Sequence, residues 1–252
     1  MVFPVWIIAA VLLLSAEQGY SEEVVLTAIN YPPFYGETLD GDGPFTEVIV
    51  DSFKAVGYSV RIVYQPWKRA MATAREGTQA HGMVGVWHTQ EREKAFLFSD
   101  PILPNKMAFF KRRDTNIVFT SYSNLAARGY KLGLVRGYAA PKGLLESNIP
   151  IEFVTQDIQN IQKLAAGRID LVVLDKNYAN YVLQDHPKMA AAIEGMTPIL
   201  ETIQQHLVIS RNIENAQTIM FDFNRGLKRL RNNGEFQKYS DKLTLIRPFA
   251  AH

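Results

Sequence analysis

Four side chains in this sequence stand where a small charged molecule could be gripped. Arg92 follows the apolar run 82–87 (GMVGVW), which reads as a buried strand, and open α/β sheets form their ligand crevice at the carboxyl ends of such strands. A planar guanidinium placed there can hold a carboxylate through two parallel charge-assisted bonds. The competing reading is a solvated arginine paired locally within Glu91-Arg92-Glu93-Lys94, and charge pattern alone favours it. Asp175 ends a second apolar run, 169–174 (IDLVVL), and would meet a cationic group. An aspartate there serves equally well as the cap of a helix starting near Lys176. Tyr31 opens the turn Tyr31-Pro32-Pro33-Phe34, and Trp67 follows Pro66 at a helix start, where it either stacks on a ligand or packs in the core. Other chemistry is thin. The five histidines are scattered, and His81 and His88 flank one strand at a spacing of seven, hence on opposite faces. No GxSxG, HExxH or phosphate-loop pattern occurs. The chain has no cysteine, which removes disulfides, thiolate catalysis, Cys-containing metal sites and a cysteine-borne lipid anchor. No catalytic residue, cofactor or metal is expected.

These side chains need a scaffold. The 252 residues are 47% hydrophobic and 21% charged, an ordinary globular balance with room for one large domain or two modest ones. A net charge of +2 is too small to make nucleic acid or an anionic membrane the main partner. The basic runs 111–113 and 225–231 read as solvated faces, because no aromatic stacking platform accompanies them. Strand and helix signals alternate: strands at 24–28, 58–64 and 82–87, and helices at 46–55, capped by Thr46 and closed by Gly57, and at 67–75, stopped by Gly77. The scheme repeats with strands at 131–135, 151–154 and 169–174 and a helix at 157–166 closed by Gly167. Units of this spacing imply right-handed crossovers and mostly parallel sheets. Two such sheets imply two lobes, with 106–110 and 207–210 as crossings between them. The tail from 213 carries the helical stripe Ile219, Met220, Phe223, Leu227 and Leu230, and is expected to return to the first lobe. The division is then 22–103 with 209–252 for lobe one and 104–208 for lobe two.

The amino terminus points to export. Residues 5–14 (VWIIAAVLLL) form an uninterrupted apolar run of ten, shorter than the ~20 residues of a membrane span and matching the core of a secretory signal. Cleavage after Ser21 fits its small residues better than cleavage after Ala16, so 1–21 is expected to be a signal peptide and the mature protein periplasmic.

Several segments resemble the polar-amino-acid class of periplasmic solute-binding proteins, the receptors of ABC importers. They are Tyr31-Pro32-Pro33-Phe34 with the turn Asp40-Gly41-Asp42-Gly43, the run from Gly82 through Thr89 and Arg92 to Phe98-Ser99-Asp100-Pro101, Gly167-Arg168-Ile169-Asp170 with Asp175, and the closing 230–236. Together they cover the mature chain nearly end to end. The resemblance implies a type II two-lobed α/β fold: two mostly parallel sheets flanked by helices, with the ligand cleft between lobes. It implies that Arg92 binds the α-carboxylate of an amino-acid-like ligand and Asp175 its α-ammonium group. Tyr31 and Trp67 fall on covering aromatics, and Gly85, Trp87, Tyr138 and Ala139 fall on the remaining ligand-contacting positions. Three departures stand out. Trp87 replaces a small residue, Gly137-Tyr138-Ala139 lacks the usual hydroxyl, and Pro44-Phe45-Thr46-Glu47 replaces a Gly-Phe-Asp motif. The expected function is capture of a small polar solute by a monomer, for delivery to an ABC permease. Presentation of the ligand to a membrane sensor or kinase is the alternative, and a dehydratase-like enzyme on the same fold is the second.

Overall fold

A computed structural model describes residues 22–245; the expected signal peptide and the last seven residues lie outside that range. The first half runs β1 (Glu23–Ala28), α1 (Pro44–Lys54), β2 (Ser59–Tyr64), α2 (Trp67–Glu76), β3 (Gly82–Trp87), α3 (Gln90–Glu93) and β4 (Phe96–Phe98). The chain continues through β5 (Pro104–Arg112), α4 (Tyr122–Ala127), β6 (Leu132–Val135), β7 (Ile151–Val154), α5 (Asp157–Ala165), β8 (Leu171–Asp175), α6 (Lys176–Gln184), α7 (Pro187–Ala192) and β9 (Ile193–Gly195). It closes with β10 (Glu201–Ser210), α8 (Ala216–Asn232) and α9 (Phe236–Thr244).

The fold is α/β and two-lobed. Strands β2, β1 and β3 are parallel neighbours in one lobe, and β7, β6 and β8 in the other. The two sheets are not separate. They form one mixed path, β2-β1-β3-β10-β5-β8-β6-β7, because two antiparallel strands lie between the parallel sets. The first half of β10 pairs with β5 at Glu201 to Gln204, and the second half pairs with β3 and β4, with a register shift between His206 and Val208. Strands β5 and β10 do link the halves, but 107–111 pairs with β8 inside the second lobe and 208–210 with β3 and β4 inside the first. Strand β10 thus changes partner near Gln204–Gln205 rather than at the expected 207–210. What drives the halves apart as lobes is helix coverage: α1 and α2 pack on the first sheet, α5 and α6 on the second.

Local chemistry explains the element ends. Helix α2 starts behind Pro66 and stops at Gly77, whose φ is 75°. Helix α1 departs from the expectation. Gly43 stands at its N-cap and Pro44 at its first position, so Thr46 lies inside the helix, buried, and caps nothing. Its buried residues Phe45, Val48, Ile49, Ser52 and Phe53 fall at the one-, three- and four-residue spacing of a helix face turned inward. Helices α8 and α9 pack on that helix, with Phe53 and Phe223 rings 5.0 Å apart.

Gly226 is what lets α8 approach so closely. A Cβ there would sit 1.9 Å from the carbonyl oxygen of Ser52, an atom of the α1 backbone that no rotamer change can move. Gly226→Ala is expected to destabilise the protein by about 1–3 kcal/mol, the usual cost of overpacking, seen as a lower urea midpoint with an unchanged slope.

Candidate functional site

The site begins where β3 ends. Thr89 caps α3, its hydroxyl accepting the Arg92 N–H at 3.2 Å, and this tight turn swings Arg92 back over the strand end. Arg92 is the buried residue of that helix. Its Nη1 donates to the Trp87 carbonyl at 2.9 Å, and its Nη2 donates across the cleft to the Gly137 carbonyl at 3.3 Å. The guanidinium lies 5.0 Å over the Trp67 ring, and Trp67 Nε1 donates to the same Gly137 oxygen at 3.0 Å. One carbonyl of the second lobe thus takes bonds from two side chains of the first. No carboxylate of the described residues forms an ion pair with Arg92, so local pairing in the charged run is not its role; His88 pairs with Glu93 instead. Burial lowers the Arg92 pKa to about 10, which still leaves it charged at neutral pH.

Seven of the eight residues singled out from the sequence wall one interlobe cavity of about 50 Å³: Tyr31, Trp67, Gly85, Trp87, Arg92, Tyr138 and Ala139. Gly85 adopts a φ of 73°, and a Cβ there would meet the Tyr35 ring within 2.6 Å, so only glycine lets that ring close the floor. Tyr31 stacks on Tyr178 of α6 with centroids 4.8 Å apart, bridging the lobes. Trp87 is held by its Nε1 bond to Asn105 Oδ1 at 2.7 Å. Asp175 is the exception. It lies one residue beyond the wall residue Leu174 and is fully buried. Its Oδ1 accepts the N–H groups of Asn177 and Tyr178 and its Oδ2 that of Lys106. The helix-cap reading of Asp175 is therefore present in the structure. Burial raises its pKa to about 6 against the pull of those bonds.

Sequence reasoning missed Tyr35, Asn105 and above all Asp157 as wall residues. The Gln159 side chain accepts the backbone N–H groups of Thr155 and Gln156, which fixes the start of α5 and leaves Asp157 in its first turn facing the cleft. The Tyr138 hydroxyl bonds to the Asp157 carboxyl, yet burial outweighs that bond and raises its pKa to about 7. In sequence an acidic residue in a first helical turn reads as a partner of the helix dipole, so nothing local marks it out. The Trp67–Tyr138 pair, 5.0 Å between centroids, divides the cleft. Arg92 also borders an outer groove with Lys68, Arg75 and Glu91, while Asp157 borders another with Asn30, Glu37 and Gln65. The cation and the carboxyl stand on opposite sides of one aromatic partition.

The described chain matches known proteins along nearly its whole length. The sequence model of the family described as bacterial extracellular solute-binding proteins, family 3, matches residues 24–245. The arginine-binding periplasmic protein of Mannheimia haemolytica is 24% identical over 242 residues, covering 88% of this chain and 91% of the relative. An amino-acid ABC transporter substrate-binding protein from Streptococcus pneumoniae, bound to L-arginine, superposes with a TM-score of 0.72 at 19% identity, covering 88% of this chain and 94% of that one. A histidine kinase sensor domain similar to periplasmic binding proteins gives a TM-score of 0.79 at 18% identity, covering 90% and 98%. Among the described residues no helix is long and apolar enough to cross a membrane.

The raised pKa of Asp157 has a consequence for stability. Its folded value of about 7 exceeds the ~4 of an exposed aspartate, so the fold favours the protonated form. The associated stability is whole below about pH 4 and is lost as pH rises through about 7. In urea melts from pH 4 to 8, the unliganded protein is expected to lose about 2–4 kcal/mol that Asp157→Asn retains. Parallel curves for the two proteins would show that the carboxyl ionises as freely in the fold as in water.

Proposed function

We propose that this chain, which belongs to the bacterial extracellular solute-binding proteins of family 3, captures a cationic amino acid of the arginine class between its lobes and hands it to a membrane importer. The family, the Mannheimia haemolytica relative and the Streptococcus pneumoniae structure are solute-binding proteins and not enzymes. The observation that carries the ligand class is the state of Arg92: buried, charged, and with its guanidinium hydrogen-bonded, among the described residues, to two neutral carbonyls. A buried charge without a counter-ion is costly by several kcal/mol, and a carboxylate arriving in place of the Gly137 carbonyl supplies both the charge and a bidentate geometry. In this reading the α-carboxylate sits on Arg92 and the α-ammonium group lies toward Asp175, whose carboxyl the wall residue Asn105 also faces.

Charge balance supports a cationic side chain. Arg92 contributes one positive charge to the cleft, and Asp157 and Asp175 contribute two negative ones when both are ionised, which a ligand with one carboxylate and two cationic groups neutralises. The aromatic lining suits a guanidinium, since a cation over a ring face gains ~0.5–2 kcal/mol. The relative from Mannheimia haemolytica is named for arginine binding, and the Streptococcus pneumoniae structure holds L-arginine. Hand-over to an ABC importer is supported by the role named for the latter protein.

Calorimetry on protein unfolded, washed free of ligand and refolded, against arginine, lysine, ornithine, glutamine and glutamate, is expected to find arginine or a close analogue among the tightest. Ligand at 100 times its dissociation constant should stabilise the fold by about 2.7 kcal/mol. No response to any amino acid overturns the reading. Arg92→Ala is expected to weaken binding by about 100-fold or more, with the unliganded protein as stable as the parent to within about 1 kcal/mol, because the charge it removes has no ion-pair partner. Loss of the fold instead would make Arg92 a structural residue.

A further inference from the structure

A grip on the α-carboxylate and α-ammonium groups leaves Asp157 without a task. It is buried in the first turn of α5 and faces both the inner cavity and the groove on the far side of the Trp67–Tyr138 partition from Arg92. Among the described residues no cationic side chain pairs with it. Tyr138 donates a hydrogen bond to its carboxyl. The other titratable groups that act on it are Tyr31 and Tyr35 from the first lobe and Tyr178 from the second, all phenols held neutral by burial. The charged groups around it are Arg92 in the same cavity, Glu37 in the groove beyond the partition and, behind the wall, Asp175.

We propose that Asp157, seated by Tyr138, receives the side-chain cation of the ligand, so that the site separates a cationic amino acid from its neutral isostere. This deepens the reading above and rests on it, since the ligand is oriented by Arg92. A guanidinium arriving there offers the carboxylate two parallel bonds while lying among aromatic faces that attract it. A neutral urea in the same place either meets a carboxyl that burial keeps protonated or leaves it ionised without a counter-charge, and in both cases forgoes the ion pair. Because burial keeps the carboxyl protonated up to about pH 7, a cation that claims it must expel the proton.

The test is calorimetry of the folded chain with arginine and with citrulline, in which a urea replaces the guanidinium. At pH 7.5 the parent protein is expected to prefer arginine by about 100-fold or more, and Asp157→Asn to bring the two ligands within about fivefold by weakening arginine. A preference kept intact by Asp157→Asn, or a parent protein that binds both ligands alike, overturns the assignment of Asp157 and leaves amino-acid capture standing. A parent protein that binds no amino acid overturns both. Should the variant not fold, proton release by the parent decides: at pH 6, measured in buffers of different ionisation enthalpy, arginine should release about one proton more than citrulline. Equal release overturns the proposal.

Discussion

One buried guanidinium sets the terms for the rest of this molecule. Arg92 is held off solvent by the Trp67 ring and reaches from one lobe to a carbonyl of the other. A neutral carbonyl is a weak partner for a full charge in a low-dielectric setting. The fold tolerates it because the guanidinium is planar, weakly hydrated and stacked on an indole face, which suits it to burial better than an ammonium. The capping turn at Thr89 holds it in place, so the group is preorganised before any partner arrives. Everything else in the cleft is arranged around this unsatisfied demand.

The contacts that hold the lobes together fall in two classes. Backbone pairing along β5 and β10 belongs to the sheet itself, and closing or opening the cleft need not break it. The register shift in β10 between His206 and Val208 falls just past the point where the strand passes from one sheet half to the other, a natural place for bending strain to concentrate. The second class is side-chain contact across the cleft: Tyr31 on Tyr178, Trp67 to Gly137 and Arg92 to Gly137. Few and polar or aromatic, these are the contacts a two-state hinge can exchange for ligand contacts. A ligand favours the closed arrangement only by the difference between what it offers there and what these contacts already provide.

Much of this was legible in the sequence, and the reasons are local. Pro66 and Gly77 bracket α2, and the apolar runs ending at Trp87 and in Leu174 mark strands whose carboxyl ends wall the cavity. Thr46 misled because the cap rule looks for a hydroxyl, while Gly43 and Pro44 began α1 earlier by backbone conformation alone. The joining of the two sheets through β10 was not legible, since antiparallel pairing over such separations depends on tertiary context and leaves no periodic trace of its own. Asp175 shows a reading that local pattern supplied correctly: the carboxylate ends β8 and caps α6, one residue beyond the cavity wall. Asp157 was invisible for the opposite reason, since its sequence neighbourhood explains it fully as a helix start and only the folded chain brings Tyr138 and Tyr31 against it.

The departures of this chain from the pattern it resembles bear on how it can discriminate. Trp87 brings an indole where a small polar residue is usual, and its donor is bonded to Asn105 inside the wall. Ala139 brings no hydroxyl. Neither residue offers a hydroxyl near Arg92: Trp87 leaves an aromatic face in its place and Ala139 a methyl group. The wall donors of Tyr35, Trp67, Trp87 and Tyr138 are already bonded within the protein, so the site reads a ligand less through small hydrogen-bond preferences, each worth about 0.5–1.5 kcal/mol. It must rely on its charges, and those stand apart: a guanidinium on one side of the Trp67–Tyr138 partition and a carboxyl on the other. Separated opposite charges in an apolar cleft impose an orientation on any ligand that carries both signs. The same cleft disfavours a ligand that carries only one, because the charge left over stays buried and unpaired. Selectivity here is written more in what the wall refuses to solvate than in what it contacts.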